Sequence, residues 1–404
     1  MTACRSCGNT KLESVLSLGR TPLANALLNE EQLVEPEPTY PLELVFCAEC
    51  SLVQITETIP PEKLFRDYVY MSSFSTTMLR HAEEICANLI RSKNLDATSL
   101  VVEVASNDGY LLRCYKRKGV PVLGIEPATN IAAVAEQQGI PTICDFFNDD
   151  LASRLVGEGF KADVVHAHNV LAHVPDLNGF VRGLRRLLKE DGSIVIEVPY
   201  VKDMIDRCEF DTVYHEHLSY FSLTALDALF ARNDLTIQYV ERLAIHGGTL
   251  RIYAGYDPKR DDSVASLLNE EDEWGVNDLA FYSGFATRVE QLRNDLVALL
   301  RQLKTEDKRI AVYGASAKGS TLLNYCRLGE ETLDYVVDRS TVKQGLYTPG
   351  SHLKIYAPEK LLEDGPDHVL LLTWNFASEI LEQQAEYRKR GGQFIVPVPS
   401  PRVL

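Results

Sequence analysis

Along the middle of the chain, short apolar runs alternate with segments in which apolar residues recur at helical spacing. The runs are VVEVA, VLGIEP, TICDFF, ADVVHAHNV and GSIVIEV, and helices are predicted from Tyr110, from Thr129 and over LNGFVRGLRRLLKE. This alternation predicts a mostly parallel sheet covered by helices on both faces. Two later runs, LTIQYVERL and GTLRIYAG, predict antiparallel strands added at the edge of that sheet.

The flanking regions predict further parts of an α/β protein. Residues from about 75 to 95 and from about 265 to 307 have helical periodicity, and the second stretch reads as a connector. It leads into another α/β unit, RIAVYGASAKGSTLLNYC, followed by the strand-like runs LDYVVDRS, HVLLLTW and GQFIVPVP. We therefore expect a small N-terminal module over 1–65, a central domain over 66–260, and a connector with a C-terminal domain over 261–404.

Charge and hydropathy exclude several classes of partner. The chain has 404 residues, and 41 Lys and Arg against 57 Asp and Glu give a net charge of −16. Such an acidic chain is not expected to bind nucleic acid, because no basic field offsets the repulsion. No apolar run approaches the roughly 18 residues of a membrane span. The start, MTACRSCGNT, lacks the features of an export signal, so a cytoplasmic protein is expected. No membrane partner is expected, and a monomer is the expected oligomeric state.

Four of the nine cysteines form two C-x-x-C pairs, Cys4 with Cys7 and Cys47 with Cys50. Two such pairs can place four thiolates around one Zn²⁺ ion, which favours a closed structural site. A disulfide or redox pair is the alternative, but a cytosolic chain is kept reduced and a redox motif needs only one pair. The Pro-rich, polar stretch between the pairs predicts a loop-rich module with little core, held together by the metal.

Acidic and small residues stand at the predicted ends of successive strands. Glu103 lies in the first strand before the turn 105–109, Glu126 ends the second strand, and Asp145 with Phe146 ends the third. Ligands of α/β proteins bind at such strand ends, and an acidic group there holds a ribose diol. The turn lacks G-x-G-x-x-G, so S-adenosylmethionine fits better than a dinucleotide; a merely structural turn is the alternative. The candidate cofactor residues are Glu103, Ala105, Ser106, Asn107, Gly109, Glu126, Pro127, Asp145, Phe146 and Asn169.

Taken in order, the paired cysteines, E-x-x-S-N-D-G-x-L-L, YHEHLSYFS, HGGTLRIY and YGASAKG resemble the sugar C-methyltransferases over nearly the whole chain. That resemblance implies a zinc-binding module, a class I (Rossmann-like) methyltransferase core that uses S-adenosylmethionine, and a C-terminal Rossmann-like domain that helps to bind a nucleotide sugar. The implied reaction is C-methylation, at C-3, of a nucleotide-linked 4-keto-deoxysugar in deoxysugar biosynthesis. Ala105 departs from the Gly of many members.

The stretch YHEH offers a general base for such a reaction. Methylation of a carbon next to a ketone needs an enolate, and a neutral histidine suits the removal of the proton. In an extended segment Tyr214 and Glu216 would share one side and His215 and His217 the other, which does not choose the base. The resemblance assigns it to His217, with Tyr214 and Glu216 as companions. A zinc site or a structural polar loop are the alternatives.

Other candidate residues surround this reaction. By resemblance His173 and Tyr68 also approach the sugar, whereas His166, His168 and His246 stay unassigned. In YGASAKG, the start of a helix can hold a diphosphate with help from a lysine. The candidate substrate-binding residues are Ser316, Lys318, Asp338 and Asn375. An O-methyltransferase, an NAD-dependent sugar enzyme and a catalytically silent nucleotide-sugar-binding protein are the rival functions.

Overall fold

The structure is a computed structural model that describes residues 3–66 and 72–404. Its first part contains three strands and two helices. They are β1 (Glu13–Thr21), β2 (Tyr40–Phe46), β3 (Val53–Ile55), α1 (Pro61–Phe65) and α2 (Thr76–Lys93). β1, β2 and β3 pair antiparallel in sequence order. Ser75 caps α2, since its side chain accepts a hydrogen bond from the amide of Met78.

The central part carries the largest sheet. In chain order it contains β4 (Val101–Val104), α3 (Leu112–Arg117), β5 (Val122–Ile125), α4 (Thr129–Gln137), β6 (Thr142–Ile143), α5 (Asp149–Gly157), β7 (Ala162–His168), α6 (Leu177–Leu187), β8 (Leu188–Pro199), α7 (Val201–Asp206), β9 (Ser219–Tyr220), α8 (Leu223–Arg232), β10 (Thr236–Leu243) and β11 (Thr249–Gly255). Seven of these strands form one sheet in the order β10-β11-β8-β7-β4-β5-β6.

The five parallel strands of this sheet have the 3-2-1-4-5 order of a Rossmann-type unit. β10 and β11 run antiparallel at one edge, so the predicted antiparallel addition is confirmed. Two details of the prediction were wrong. The helix α6 ends at Leu187 and residues 188–190 already belong to β8, while TICDFF contributes only the two-residue strand β6. The parallel α/β class follows from the pattern, although the bounds of its elements do not.

The C-terminal part repeats the Rossmann-type order. It contains α9 (Asp262–Trp274), α10 (Leu279–Tyr282), α11 (Phe285–Thr305), β12 (Ile310–Tyr313), α12 (Ala317–Cys326), β13 (Val336–Val337), β14 (Ile355–Tyr356), α13 (Lys360–Asp364), β15 (His368–Leu371), α14 (Ala377–Gln383), α15 (Ala385–Lys389), β16 (Gln393–Val396) and β17 (Arg402–Val403). The sheet order is β14-β13-β12-β15-β16-β17, with only β17 antiparallel. The predicted helical connector consists of three helices. The first of them is followed by Gly275, whose backbone adopts the left-handed conformation of a helix C-cap.

The N-terminal module differs from the loop-rich prediction, because it has a real core. Leu42, Leu44 and Phe46 of β2 are almost fully buried, and they belong to one apolar cluster with Val289 of α11 and Ile310 of β12. A fourth strand, β9 of the central part, pairs with β3 and completes the small sheet. Local patterns did not reveal this core because its partner surfaces lie more than two hundred residues away. In the described ranges, no helix has both the length and the apolar character to cross a bilayer.

Candidate active site

A single cleft of about 1220 Å³ lies where the three parts meet. The N-terminal module contributes Asn25, the central part contributes Glu126 and His217, and the C-terminal part contributes Lys318 and Asp338. Glu126 follows the carboxyl end of β5, the edge of a parallel sheet at which α/β proteins build their sites, whereas His217 lies in the loop before β9. The cleft exceeds the roughly 300–1,000 Å³ of a pocket for one small ligand, so it can hold a cofactor and a substrate side by side.

The turn after β4 has an unusual backbone that a buried carboxylate holds in place. Ala105 and Asn107 have φ values of +55° and +50°, a left-handed region that L-residues rarely adopt. Glu126 accepts hydrogen bonds from the amides of Asn107 and Ala128, both at 2.9 Å. Burial raises the pKa of Glu126, and these two amides oppose that shift. The acidic residue predicted to hold a ribose therefore also fixes the turn beside which the ribose would lie.

The predicted cofactor residues divide into two groups. Six of them line the cleft: Ala105, Asn107, Glu126, Pro127, Phe146 and Asn169. Glu103, Ser106 and Gly109 lie behind this wall, where burial raises the pKa of Glu103 well above its usual range. Asp145 does not line the cleft; it accepts a hydrogen bond from the Phe146 amide at 2.8 Å and lies 3.5 Å from Arg154 at the surface. The turn and the second strand end thus form one wall of the cleft, the predicted cofactor wall.

The YHEH stretch is a turn, so the expectation of an extended segment was wrong. The amide of His217 donates to the carbonyl of Tyr214 at 2.9 Å. This closes a four-residue turn and brings the first and last side chains together. His217 donates from Nδ1 to the carbonyl oxygen of Thr212 at 3.0 Å, and its Nε2 lies 2.8 Å from the Tyr214 hydroxyl. Nε2 therefore carries the lone pair and accepts from the tyrosine.

Burial keeps the imidazole of His217 neutral. It lowers the pKa of His217 well below its usual range, and the neighbouring His173 lowers it further. The two rings are 4.8 Å apart between centroids. Burial also lowers the pKa of His173 to about 4. Both imidazoles are uncharged at neutral pH, which is the state that a proton-abstracting base requires.

The other two residues of the turn face the N-terminal module. His215 donates from Nε2 to the carbonyl of Pro41 at 3.0 Å, and Glu216 accepts from Nδ2 of Asn25 at 2.7 Å. Burial raises the pKa of Glu216 to about 7. Glu216 is not itself part of the cleft wall, but Asn25 is. Tyr68 lies outside the described residues.

The C-terminal wall contains all four predicted substrate-binding residues: Ser316, Lys318, Asp338 and Asn375. Ser316 caps α12 by accepting from the amide of Gly319 at 3.1 Å. Asp338 accepts from the amides of Ala315 and Ser340, both at 2.8 Å. This repeats the arrangement at Glu126, since an acid at the end of the second strand again holds the turn after the first strand.

The four cysteines of the N-terminal module form a compact cluster. Their sulfur atoms lie within 4.8 Å of one another, and the Sγ atoms of Cys4 and Cys50, and of Cys7 and Cys47, are 3.5 Å apart. That spacing is too long for a disulfide and suits four thiolates around one ion with bonds of about 2.3 Å. Within the described ranges this is the one His, Cys, Asp and Glu cluster with metal-ligand spacing. His215 and His217 point apart, which argues against a metal at YHEH.

The cleft-lining residues that the sequence did not predict include Asn25, His168 and Lys343. The only sequence signal for Asn25 is a polar residue within the apolar stretch LANALL. Lys343 is buried and donates to the carbonyl of Ala315 at 2.7 Å, but no motif marks it. The sequence assigns no role to His168; its Nε2 lies 2.9 Å from Nδ1 of His166, and its Nδ1 lies 3.5 Å from Oε2 of Glu197.

A seven-stranded sheet of this order, with an acid-held turn at its carboxyl edge, defines a methyltransferase that uses S-adenosylmethionine. Family models support each part: a zinc binding domain matches residues 4–65, a methyltransferase domain matches 78–240, and a C-methyltransferase C-terminal domain matches 244–399. The C-methyltransferase NovU of Streptomyces niveus is 36% identical over 404 residues, covering 99% of this chain and 96% of NovU. The chain belongs to this C-methyltransferase family and is an S-adenosylmethionine-dependent enzyme.

Two further comparisons each cover less than half of this chain. The ubiquinone biosynthesis O-methyltransferase of Bartonella tribocorum is 27% identical over 150 residues, covering 35% of this chain and 58% of that enzyme. The solved structure of magnesium protoporphyrin IX methyltransferase from Synechocystis, with bound S-adenosylmethionine, has a TM-score of 0.34 and 14% identity, covering 44% of this chain and 78% of that one.

Proposed function

We propose that the enzyme methylates C-3 of a nucleotide-linked 4-keto-deoxysugar and that His217 removes the C-3 proton. The observation that carries this proposal is the pairing of a neutral imidazole with a phenol in the cleft wall. Breaking the C-3–H bond leaves an electron pair that moves onto the ketone oxygen as an enolate. That step requires a base at the carbon and a donor at the oxygen, and the two side chains supply both.

The hydroxyl of Tyr214 has a second role in this proposal. In the free enzyme it donates to Nε2 of His217, which occupies the lone pair that must take the proton. A ketone oxygen entering beside Tyr214 would accept the same hydroxyl hydrogen, and Nε2 would then be free for the C-3 proton. His217 keeps its orientation meanwhile, because Nδ1 still donates to the Thr212 carbonyl.

The cofactor supplies an electrophilic methyl group, and the residues of this chain place it. Ala105, Asn107, Glu126 and Asn169 would hold S-adenosylmethionine along the central wall. On the opposite wall, Ser316 and Lys318 would hold the diphosphate of the nucleotide, with Asp338 and Asn375 near the nucleoside. His173, Tyr68 and Glu216 are proposed to contact the sugar, Glu216 together with Asn25. We also propose that the functional units divide near residues 65 and 260.

Hydrogen exchange tests the base directly. Incubating the 4-keto sugar nucleotide with enzyme in D2O, without the methyl donor, should exchange the C-3 hydrogen, which NMR detects. His217→Gln should reduce both exchange and methylation by about 10² to 10⁴-fold. Tyr214→Phe should reduce them by about 10 to 10³-fold, since one donor to the oxyanion is lost. The matched control is His352→Gln, because His352 pairs with Glu37 at the surface, away from the cleft.

Three outcomes decide between the rival functions. A His217→Gln enzyme with full exchange and full C-methylation would remove His217 as the base. A methyl group located on oxygen by NMR would replace the reaction with O-methylation while the cofactor stays the same. Methylation of C-5 in place of C-3 would leave the enolate mechanism intact and move the site of reaction.

A further inference from the structure

Residues 210–213, which precede the proposed base His217, are contacted by the C-terminal domain on the side away from the cleft. Trp374 donates from Nε1 to Oδ2 of Asp211 at 2.6 Å, and Thr321 donates from Oγ1 to the carbonyl of Val213 at 3.2 Å. The ring of Tyr325 packs against Phe210 with centroids 5.3 Å apart. The central and C-terminal domains therefore meet along residues 210–213. Each of these contacts comes from the C-terminal domain, which also carries the proposed substrate-binding residues.

The same short segment orients the base on its other side. Thr212, between the two anchored residues, accepts the Nδ1 hydrogen of His217 at 3.0 Å and the Tyr220 hydroxyl at 3.3 Å. A shift of Asp211 or Val213 would therefore move the carbonyl that fixes the imidazole. Small displacements of a catalytic group are costly, since a misplacement of about 1 Å can reduce a rate by about 10²-fold.

The residues of the C-terminal domain that contact 210–213 are also connected to Lys318, in the proposed diphosphate site. Lys318, Thr321 and Tyr325 have the three- and four-residue spacing of one face of α12, so they move as a unit. The ammonium of Lys318 lies 4.8 Å from the centroid of the Trp374 ring. Its Nζ is buried and has no hydrogen-bond partner within the described part of the chain, while Lys318 itself lines the cleft.

We propose that Asp211 and Trp374 are positioning residues that connect diphosphate binding at Lys318 to the orientation of His217. Neither residue lines the cleft, and both act through the carbonyl of Thr212. The nucleotide portion of the substrate, remote from the reacting carbon, would then raise the rate of proton abstraction as well as the affinity. This inference rests on the proposed function, because it assumes His217 as the base and a nucleotide-linked substrate.

Electrostatics act in the same direction as these contacts. Burial and His173 are the larger causes that lower the pKa of His217, and the positive charge of Lys318 adds to them. Burial raises the pKa of Asp211, and Lys318 together with the Trp374 hydrogen bond opposes that shift. A diphosphate at Lys318 would offset its charge and so strengthen His217 as a base, while the carboxylate of Asp211 keeps Trp374 in place.

The test compares two variants that each remove one hydrogen-bond donor; Thr321→Val also keeps the shape of the side chain. Trp374→Phe removes the indole donor to Asp211 but leaves a ring near Lys318, and Thr321→Val removes the hydroxyl donor to Val213. Tyr282→Phe is the matched control, because it removes a buried hydrogen bond, 2.9 Å to the Val276 carbonyl, away from the cleft. Each variant is used as full-length, zinc-loaded protein.

Two readouts separate positioning from a loss of stability. ¹⁵N NMR of histidine-labelled protein, with His217 assigned by its absence in His217→Gln, reports its tautomer and surroundings. Saturating thymidine, uridine or guanosine diphosphate, each tested separately, should shift the His217 resonances in wild type and Tyr282→Phe but not in Trp374→Phe. With a nucleotide-linked 4-keto sugar, Trp374→Phe and Thr321→Val should lower C-3 exchange and kcat by about 5- to 100-fold, with KM and S-adenosylmethionine affinity within about threefold.

The outcomes distinguish this inference from the proposed function. Suppose that the wild-type enzyme binds a diphosphate and methylates its sugar, and that the variants keep wild-type exchange, kcat and His217 shifts. That result overturns only the proposed coupling between diphosphate binding at Lys318 and the orientation of His217. Exchange and kcat lowered equally in Tyr282→Phe also overturn it, since the effect would then be general destabilisation. A wild-type enzyme that binds none of the diphosphates and exchanges no nucleotide-linked keto sugar overturns both.

Discussion

Removing the metal from the four-cysteine site should stop proton abstraction while leaving cofactor binding almost intact. Arg5, which lies between the first two cysteines, donates to the carbonyls of Ile55 at 2.6 Å and Leu218 at 3.4 Å. Ile55 ends β3, and Leu218 directly follows His217 and precedes β9. The cysteine cluster is therefore connected to His217, the proposed base, through one arginine and one pair of strands.

The size of the structural change follows from two opposing contributions. Structural Zn²⁺ has an apparent binding free energy of about 10–16 kcal/mol, so the cysteine segments should not stay ordered without it. The strands β1 and β2 have a separate source of stability, because Leu42, Leu44 and Phe46 are buried in one apolar cluster with residues of α11 and β12. Burial of three such side chains contributes about 5–9 kcal/mol. We therefore expect residues 3–12 and 47–58 to open while β1 and β2 persist.

Hydrogen–deuterium exchange of the chelated protein, read by mass spectrometry, tests this pattern, and Cys50→Ser should reproduce it. C-3 exchange of the substrate should fall by about 10-fold or more, because His217 loses its flanking anchor. Calorimetry should show S-adenosylmethionine affinity within about threefold of the zinc-loaded enzyme, since Glu126 and its turn pack elsewhere. Cys144→Ser, at an exposed cysteine outside the cluster, is the control. The reasoning is refuted if β1 and β2 open together with the cysteine segments, or if these segments open and C-3 exchange is unchanged.

Three further predictions concern buried carboxylates. Burial raises the pKa of Glu216 to about 7. Ionisation of this carboxyl therefore lowers the free energy of unfolding by up to about 3 kcal/mol as the pH rises from about 5 to 8. Urea unfolding of Glu216→Gln should show no such loss of stability. Burial opposes ionisation of Glu197, but the neighbouring histidines and Arg251 hold its pKa below the usual range, so its stabilisation is present at neutral pH and lost in acid. Urea unfolding at pH 7 should show that Glu197→Gln destabilises the protein by about 3–5 kcal/mol. The control is Glu241→Gln, which should cost about 1 kcal/mol or less, because the carboxylate of Glu241 is partly exposed where it pairs with Arg251 at 3.1 Å. Glu126→Gln should weaken S-adenosylmethionine binding by about 10- to 100-fold in calorimetry, because two amides of the cofactor wall lose a charged acceptor.

The parallel α/β parts were predictable because their signals are local. Each buried strand of the central sheet is a short apolar run, and each strand end that mattered carried a small or acidic residue, as at Glu126. The cysteine pairs were equally clear, because the ligand types and their spacing are specific to a tetrahedral site. The division near residues 65 and 260 stays a prediction, since the shared apolar clusters cross both points.

The turn at Tyr214 and the core of the N-terminal module were not predictable for a different reason. The stretch YHEH has no glycine or proline to mark a turn, and its conformation depends on the carbonyls of Pro41 and Thr212, which are distant or external to the motif. Likewise Phe46 of β2 packs against Tyr282 of α10, with ring centroids 4.8 Å apart, more than two hundred residues away along the chain. Long-range burial overrides local preference in both cases, so single-sequence patterns gave the wrong local geometry.

The repeated carboxylate arrangement explains why one cleft can serve two ligands. Glu126 accepts from one amide of the turn after β4 and from the amide of Ala128, and Asp338 accepts from one amide of the turn after β12 and from the amide of Ser340. Each Rossmann-type unit therefore presents a fixed turn at the carboxyl edge of its sheet without needing a ligand to order it. Because both edges face the same cleft, the two ligands would meet between them. His217 lines the same cleft, on a segment contacted by both neighbouring domains, which is where the proposed mechanism requires a base.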